Sequence, residues 1–484
     1  MRRLTIAIAM AAGVAVSSRG GGPQGVDVGW VIDNSGNPIL TPAMCSSLVS
    51  GKTGYIRMEF RLVNGNTTWN STMLAYYDTV VNNAKNAGLE IIGLIDYTSW
   101  PGSQADWVAN NWECAGGNGE NNYIVNFAAN AVVPIVQHFY DRIQIFELWN
   151  EPNACTTCGG CGGQLGGSYM YPSSFSQLLA YSYADLEYAG LKNYVTILSG
   201  GVFGHSIGGV HSYQNAGAQY LDDTYNTGIN HVGSFSYTKS HWGTYPLDAI
   251  GQHIYIDQGG TTTSSAFQQY ITWVQQAYQK YEGTGTSKKT MITEFGWTTA
   301  SVSQSVQDQN LNTAFGVIEN DYTSVSHAIW FDWQDGGAGN YGVLTSTGAH
   351  KTAYPDYQYW EQYEGYLING TINTAVLNYF NGQGQAKMGC AYDNGGTAWV
   401  HTWGSANVQD FQGGLNGTLN IQNSSYGTYQ VNNIHGLWSF YLAHGGIGHF
   451  GPATNDEHAS GSGTRQDFQY HYLTWDPTNG VVEH

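Results

Sequence analysis

The sequence predicts an α/β fold, a (β/α)8 barrel followed by a smaller C-terminal β-rich domain. Three observations carry this expectation. Eight short apolar runs recur, at 26–32, 54–60, 90–96, 143–149, 194–200, 248–255, 289–297 and 327–333. Amphipathic stretches separate them. After about residue 370 the helical period fades.

Each run is rich in β-branched or aromatic residues, as a strand covered on both faces must be. The stretch 71–88, "STMLAYYDTVVNNAKNAG", places its apolar residues at helical spacing and ends on Gly88, a C-terminal stop. The stretch 266–283 has the same character. Eight alternations over roughly 340 residues suit a closed parallel barrel with long loops. A doubly wound open sheet is the alternative. The first run is followed by no G-x-G-x-x-G turn, which speaks against a dinucleotide fold.

A chain of 484 residues exceeds one ordinary core, so a large and a small domain are expected. The hydrophobic fraction, 42%, is enough to fold without metals or disulfides, and no cofactor is expected. Charged residues make up only 11%, while Tyr (35) and Trp (16) are abundant. A surface of amides, hydroxyls and aromatic rings suits neutral ligands such as sugars. A net charge of −19 repels phosphate backbones and anionic lipid, arguing against nucleic-acid and membrane partners.

The chain opens Met1-Arg2-Arg3 and continues "LTIAIAMAAGVAV". A basic pair before a short apolar run is a secretory signal pattern, too short to span a bilayer comfortably. An apolar N-terminal element of the fold itself is the other reading. The expected organisation is a signal peptide over 1–22, a barrel over 23–367 and a β-rich domain over 368–484, exported and monomeric.

Two C-terminal segments, 388–414 and 450–476, each carry a Gly, an acidic turn and then Gln-Asp-Phe, at 409–411 and 466–468. The offset of 57 implies two copies of a small β unit. The pattern resembles the Leu-Gly-Phe-Pro-type repeats of bacterial wall-associated proteins, degenerate here as Gly448-His449-Phe450-Gly451-Pro452. That resemblance implies cell-wall or polysaccharide attachment. Packing against the barrel is the plainer role.

Barrel enzymes place their reacting groups at the C-terminal ends of strands. The fourth run ends in Trp149-Asn150-Glu151-Pro152 and the seventh in Ile292-Thr293-Glu294-Phe295-Gly296. Two glutamates facing each other across the barrel mouth, about 5–5.5 Å apart, suit glycoside hydrolysis with retention. Together the two motifs resemble glycoside hydrolase clan A, which includes family 5 cellulases and mannanases and family 39 xylosidases. The resemblance covers about 26–365.

It implies that Glu151 is the acid/base and Glu294 the nucleophile. It also implies that Arg57 pairs with the nucleophile, that Asn150 bonds the sugar 2-hydroxyl, and that Tyr255 touches the nucleophile. His253 would lie near the acid/base, and Trp330 would form an apolar floor. Arg57 as a structural ion-pair partner and His253 as a satisfied core histidine are the plainer readings. Asp96 departs from the clan, where a histidine or asparagine often ends the third strand. Alternation places Glu59 on the face of Arg57, either completing an inward ion pair or binding substrate. Trp100, Trp297 and Trp333, in or near βα-loops, are expected to stack on sugar rings.

The six cysteines are Cys45, Cys114, Cys155, Cys158, Cys161 and Cys390. In an exported chain an even number suggests disulfides. A bridge from Cys114 to one of Cys155, Cys158 or Cys161 is favoured, with a second inside that loop or to Cys45. The Cys-x-x-Cys-x-x-Cys spacing also resembles part of a zinc or iron–sulfur ligand set, but no second Cys-x-x-Cys supplies a fourth ligand.

The expected function is a secreted, retaining hydrolase of β-linked polysaccharide, first an endo-β-1,4-glucanase. A β-mannanase, a xylanase or an exo-acting β-xylosidase or β-glucosidase are alternatives within the clan. A non-catalytic carbohydrate-binding protein and a redox or metal protein built on the cysteine loop are the other classes. Retention of both glutamates argues against the former.

Overall fold

The computed structural model describes residues 24–155, 167–207, 211–320, 325–337, 339–363, 367–368, 371–383, 385–388, 391–392, 400–411, 416–417 and 419–484. The expected signal peptide, Cys158, Cys161, Cys390 and part of the first C-terminal segment lie outside them.

Eight parallel strands close into a barrel in chain order. They are β1 (Gly25–Trp30), β2 (Tyr55–Phe60), β3 (Glu90–Ile95), β4 (Ile145–Asn150), β5 (Thr196–Gly204), β6 (Ile250–Ile254), β7 (Thr290–Phe295) and β8 (Val325–Trp330). Every one falls in or beside an apolar run expected from the sequence. Pairing of β8 with β1 removes both sheet edges.

The helices between the strands have local causes. The helix Ser71–Ala87 starts where the Asn70 side chain accepts from the amides of Thr72 and Met73, at 3.0 and 3.1 Å. It stops at Gly88, whose φ of 84° is the left-handed conformation that favours glycine. Met73, Tyr77, Val80, Val81 and Ala84 face the barrel and are buried. The helix Ser264–Glu282 is capped by Thr263 in the same way.

Inside the barrel, Tyr55, Ile92, Ile145, Leu198, Met291 and Ile329 from six strands, with Ala249 just before β6, form an apolar layer. Two residues further along β2 and β4, the same inward face presents Arg57 and Glu147. The interior thus changes from hydrocarbon to charge toward the C-terminal ends of the strands.

The C-terminal part is mainly antiparallel. β9 (Leu367–Ile368) pairs with β10 (Thr371–Ile372). A five-stranded sheet contains β11 (Ala391–Tyr392), β12 (His401–Trp403), β13 (Ala406–Phe411), β14 (Leu419–Ser424) and β15 (Gly427–Val431). A four-stranded sheet contains β16 (His458–Ser460), β17 (Gly463–Asp467), β18 (Tyr472–Asp476) and β19 (Gly480–Glu483). Contrary to the faded helical period, helices occur here too, at Thr374–Gln383, Gln385–Met388, Leu437–Ala443 and Gly446–Phe450. They are short, and each buries only a few residues, such as Leu437, Trp438 and Tyr441, so a long-window period misses them. The two Gln-Asp-Phe triplets end β13 and β17, with Gln409, Phe411, Gln466 and Phe468 all buried.

Cys45 is a buried free thiol, its pKa pushed up to about 11 by burial. It is therefore not the bridge partner the sequence offered it as. Cys114 and Cys155 are each disulfide-bonded.

Candidate active site

Arg57 organises the barrel mouth. It is buried, and its guanidinium meets three carboxylates from three other strands. Nη1 donates to Asp27 Oδ2 and to Glu294 Oε1, both at 2.7 Å, and Nε donates to Glu147 Oε2 at 2.5 Å. Nη2 donates to Asn150 Oδ1 at 2.9 Å. Burial works against the charge on Arg57, but Glu147, Glu294 and Asp27 outweigh it and raise its pKa further.

Glu151 reaches the mouth through a strained strand end. Trp149 and Glu151 have φ of 77° and 44°, in the left-handed region that non-glycine residues avoid. The loop after β4 holds this kink. The Trp149 indole donates to Ser168 O at 2.7 Å, Ser168 Oγ donates to Glu151 O at 2.8 Å, and Met170 N donates to Pro152 O at 2.8 Å. The Glu151 carboxyl stays about a quarter exposed.

Glu294 arrives by a different device. The register of β7 against β6 slips between the pairs Gln252–Ile292 and His253–Glu294. Such an irregularity re-aims a side chain that strict alternation would send outward. Glu294 Oε2 accepts the Tyr255 hydroxyl at 2.7 Å.

His253 joins the two glutamates. Its Nδ1 lies 2.9 Å from Glu151 Oε1 and 3.5 Å from Glu294 Oε2. Room for the ring comes from Gly201 on β5, where a Cβ would meet His253 Cδ2 and Nε2 at 2.2 Å. Carboxylate oxygens of Glu151 and Glu294 approach within 4.8 Å of each other. Burial pushes Glu294 up to about 7, against the pull of His253 and Arg57, and the charge of Glu151 adds to the rise. Burial opposes protonation of His253, yet Glu294 and Glu151 outweigh it and raise its pKa.

A second acidic pair lies beside the first. Burial raises both Glu59 and Asp96, the latter well above the carboxylate range. Thr98 Oγ1 sits 2.7 Å from Glu59 Oε1 and 2.8 Å from Asp96 Oδ1. One hydroxyl has one proton, so both contacts are hydrogen bonds only when one carboxyl is itself protonated. Asp332, just after β8, is pushed up to about 8, by burial first and then by Asp27 and Asp335.

The structure therefore brings together Arg57, Asn150, Glu151, His253, Tyr255 and Glu294, as the motifs implied. The aromatic expectations are corrected. Trp297 has no exposed surface, and its indole donates to Ile256 O at 2.7 Å inside the core. Trp333 is also buried, packed on Tyr354 and Tyr357. Trp330 is fully buried against Phe295 and Trp297, so it offers no face to a sugar. Residues after a buried strand are still inside when the following loop folds back over them. Trp100 is half-buried. Exposed rings stand at two strand ends, Trp30 at the end of β1 and Tyr97 just after β3, 52% and 36% exposed. Trp30 donates to Glu59 Oε2 at 2.9 Å and lies under the Arg61 guanidinium at 3.9 Å. Tyr97 packs on Trp107 and Trp149.

Sequence reasoning missed Asp27 and Glu147. Glu147 is wholly buried, and its Oε1 accepts Gly201 N and Thr293 Oγ1, both at 2.9 Å. A carboxylate inside an otherwise apolar run needs partners, which is the signal that was available.

Residues 197–353 match the family model described as "Glycosyl hydrolase catalytic core". Glu294, His253 and Tyr255 lie in that stretch, whereas Glu151 and Arg57 precede it. No curated relative matches the chain. Among solved structures, a family 39 glycoside hydrolase from Bacteroides cellulosilyticus WH2 is 14% identical, with TM-score 0.47, covering 84% of this chain and 71% of that one. A family 5 xyloglucanase from Paenibacillus pabuli is 16% identical, with TM-score 0.47, covering 71% and 98%. A broad-specificity endoglucanase from Clostridium longisporum is 13% identical, with TM-score 0.48, covering 73% and 98%. At these identities no residue role or substrate is carried across. Glu151 and Glu294 oxygens within 4.8 Å of each other match the close carboxyl spacing that hydrolysis with retention uses. That geometry lies in a barrel whose second half, residues 197–353, is similar to a glycosyl hydrolase catalytic core.

Proposed function

We propose that the chain is a secreted endo-acting hydrolase of β-linked polysaccharide, with a β-1,4-glucan as first substrate. The observation that carries the reading is the bridged pair Glu151–His253–Glu294, with Arg57 and Tyr255 on the glutamate of β7.

Burial raises the pKa of Glu294 to about 7 in the free chain. Arg57 Nη1 and the Tyr255 hydroxyl both donate to Glu294, which favours its ionised form. Hydrolysis with retention needs Glu294 as carboxylate and a proton on Glu151. In the first step a Glu294 oxygen attacks the anomeric carbon, the glycosidic C–O bond breaks, and Glu151 gives its proton to the leaving oxygen. Ester formation removes the charge of Glu294. Glu151, now a carboxylate with no anionic neighbour at that position, serves as the base. In the second step it takes a proton from water, the water oxygen attacks the same carbon, and Glu294 is released as carboxylate. The amide of Asn150, whose oxygen is spent on Arg57, donates to the sugar 2-hydroxyl. Trp30 and Tyr97 supply exposed rings for sugar faces away from the cleavage point. An exported location and attachment through the C-terminal domain belong to the same proposal.

Product analysis on a panel of β-glucan, mannan and xylan tests the substrate. Early oligosaccharide products from a β-1,4-glucan are expected, and monosaccharide alone would remove the endo reading. Glu151→Ala tests the roles. It should lose on the order of 10³-fold or more in kcat on polysaccharide, yet retain much of the first step on an aryl glycoside whose leaving group needs no proton. Equal loss on both substrates would sink the acid/base assignment.

A further inference from the structure

The C-terminal domain carries a group of metal-ligating side chains remote in sequence from the barrel glutamates. His449 Nε2 lies 2.6 Å from Glu483 Oε1, and His471 Nδ1 lies 3.2 Å from the same oxygen. The two imidazoles are stacked, with centroids 4.5 Å apart and planes 16° from parallel. One donor atom from each residue falls within 4.8 Å of the others.

Three separate elements deliver these atoms, and the backbone bolts them together. His449 sits on the helix Gly446–Phe450, whose Phe450 is buried in the domain core. Tyr470 N donates to Phe450 O at 2.9 Å, which clamps the turn before β18 onto the end of that helix. The approach needs Gly451, with φ of 74°, because a Cβ there would meet Gln469 Cβ at 2.5 Å. Paired bonds between Tyr472 and His484, at 3.1 and 2.9 Å, fix β19 beside β18 and set Glu483 next to His471. The ligand atoms are therefore held by strand register, a helix end and a core phenylalanine rather than by loose surface side chains.

We propose that His449, His471 and Glu483 form a binding site for a divalent transition-metal ion, zinc by the chemistry of its donors. Two neutral imidazoles and one carboxylate are a borderline ligand set suited to zinc. An ordinary surface ion pair gives a carboxylate one partner. Here two rings direct nitrogens to one oxygen, with Nε2 used by one and Nδ1 by the other. A zinc ion with bonds of about 2.0–2.1 Å separates tetrahedral ligands by about 3.3 Å. The two contacts to Glu483, at 2.6 and 3.2 Å, would open to that spacing by about 0.7 and about 0.1 Å. Partial exposure of all three side chains, between 27% and 43%, leaves a fourth position for water. The ion would tie the last strand to the helix and the turn, and so would add to the stability of this domain.

Zinc sulfate alone is the probe, titrated calorimetrically into metal-stripped full-length chain. Wild type should bind one zinc, and a thermal transition should rise with it. His471→Ala and Glu483→Gln should each weaken that binding at least tenfold and abolish the rise, while polysaccharide hydrolysis without zinc stays unchanged. Glu483→Gln keeps the shape and an acceptor oxygen, so it guards against loss by misfolding. Wild-type affinity in both variants overturns the proposal, as does failure of wild type to bind. Zinc lost in Glu294→Gln but kept in His471→Ala would place the ion at the barrel mouth instead and also overturns it.

Discussion

At the scale of single residues the mouth of the barrel carries more negative than positive charge. Asp27, Glu147 and Glu294 share Arg57, and Glu151 meets His253. Glu294 illustrates the cost. Its pKa is raised from 4.5 to about 7, so between those values the folded chain holds a proton that the unfolded chain has released. Stability from this group is therefore full below about pH 4.5 and is lost as pH rises to about 7, on the order of a few kcal/mol. Glu294→Gln removes that charge while Asp27 and Glu147 still satisfy Arg57. It should abolish turnover, raise the thermal midpoint at pH 8, and leave the midpoint at pH 4 nearly unchanged. Equal shifts at both pH values in thermal melts would contradict the electrostatic account. Turnover, which needs Glu294 ionised, should rise in a pH–rate profile as pH rises toward about 7.

At the scale of elements, two irregularities aim the two glutamates: the left-handed residues at the end of β4 and the slipped register of β7. The strand between them, β5, contributes no reacting group, yet Gly201 makes the space that His253 fills. Gly201→Ala should displace His253, loosen its hold on Glu151, and destabilise the fold by about 1–3 kcal/mol. Denaturant melts with kcat measurements check this, and a variant as active as wild type would show that His253 does not hold the acid. The aromatics separate the same way. Trp297→Ala empties a core position and should cost about 3–5 kcal/mol in denaturant melts. Trp30→Ala should leave stability within about 1 kcal/mol, as exposed substitutions do, and raise KM on long substrates. In the alternating runs, the positions of Arg57, His253 and Tyr255 were legible because period two is kept up to those residues. Asp27 and Glu147 were not, because each is needed for the charge of Arg57, which arrives from another strand.

At the scale of the whole molecule the barrel and the C-terminal domain have separate cores. The barrel clusters run from Val26 to Tyr357, and the C-terminal clusters from Val376 to Leu473, with no residue shared. A chain ending after residue 363 should hydrolyse soluble oligosaccharides at the full-length rate, since every group at the mouth lies before that point. A large loss in kcat, with folding intact by circular dichroism, would show that the C-terminal domain shapes the cleft.

The sequence by itself determined the barrel, its eight strands and the placing of Glu151 and Glu294 at strand ends, because buried parallel strands are written as apolar runs. Short range order of this kind depends on neighbours along the chain. Only the tertiary structure decided which tryptophans are open, that Cys45 is a free thiol, that Glu147 and Asp27 complete the Arg57 network, and that His449, His471 and Glu483 converge. Each of those facts is a meeting of side chains from strands or loops far apart in sequence. It is set by strand register, loop return and desolvation, none of which a local pattern records.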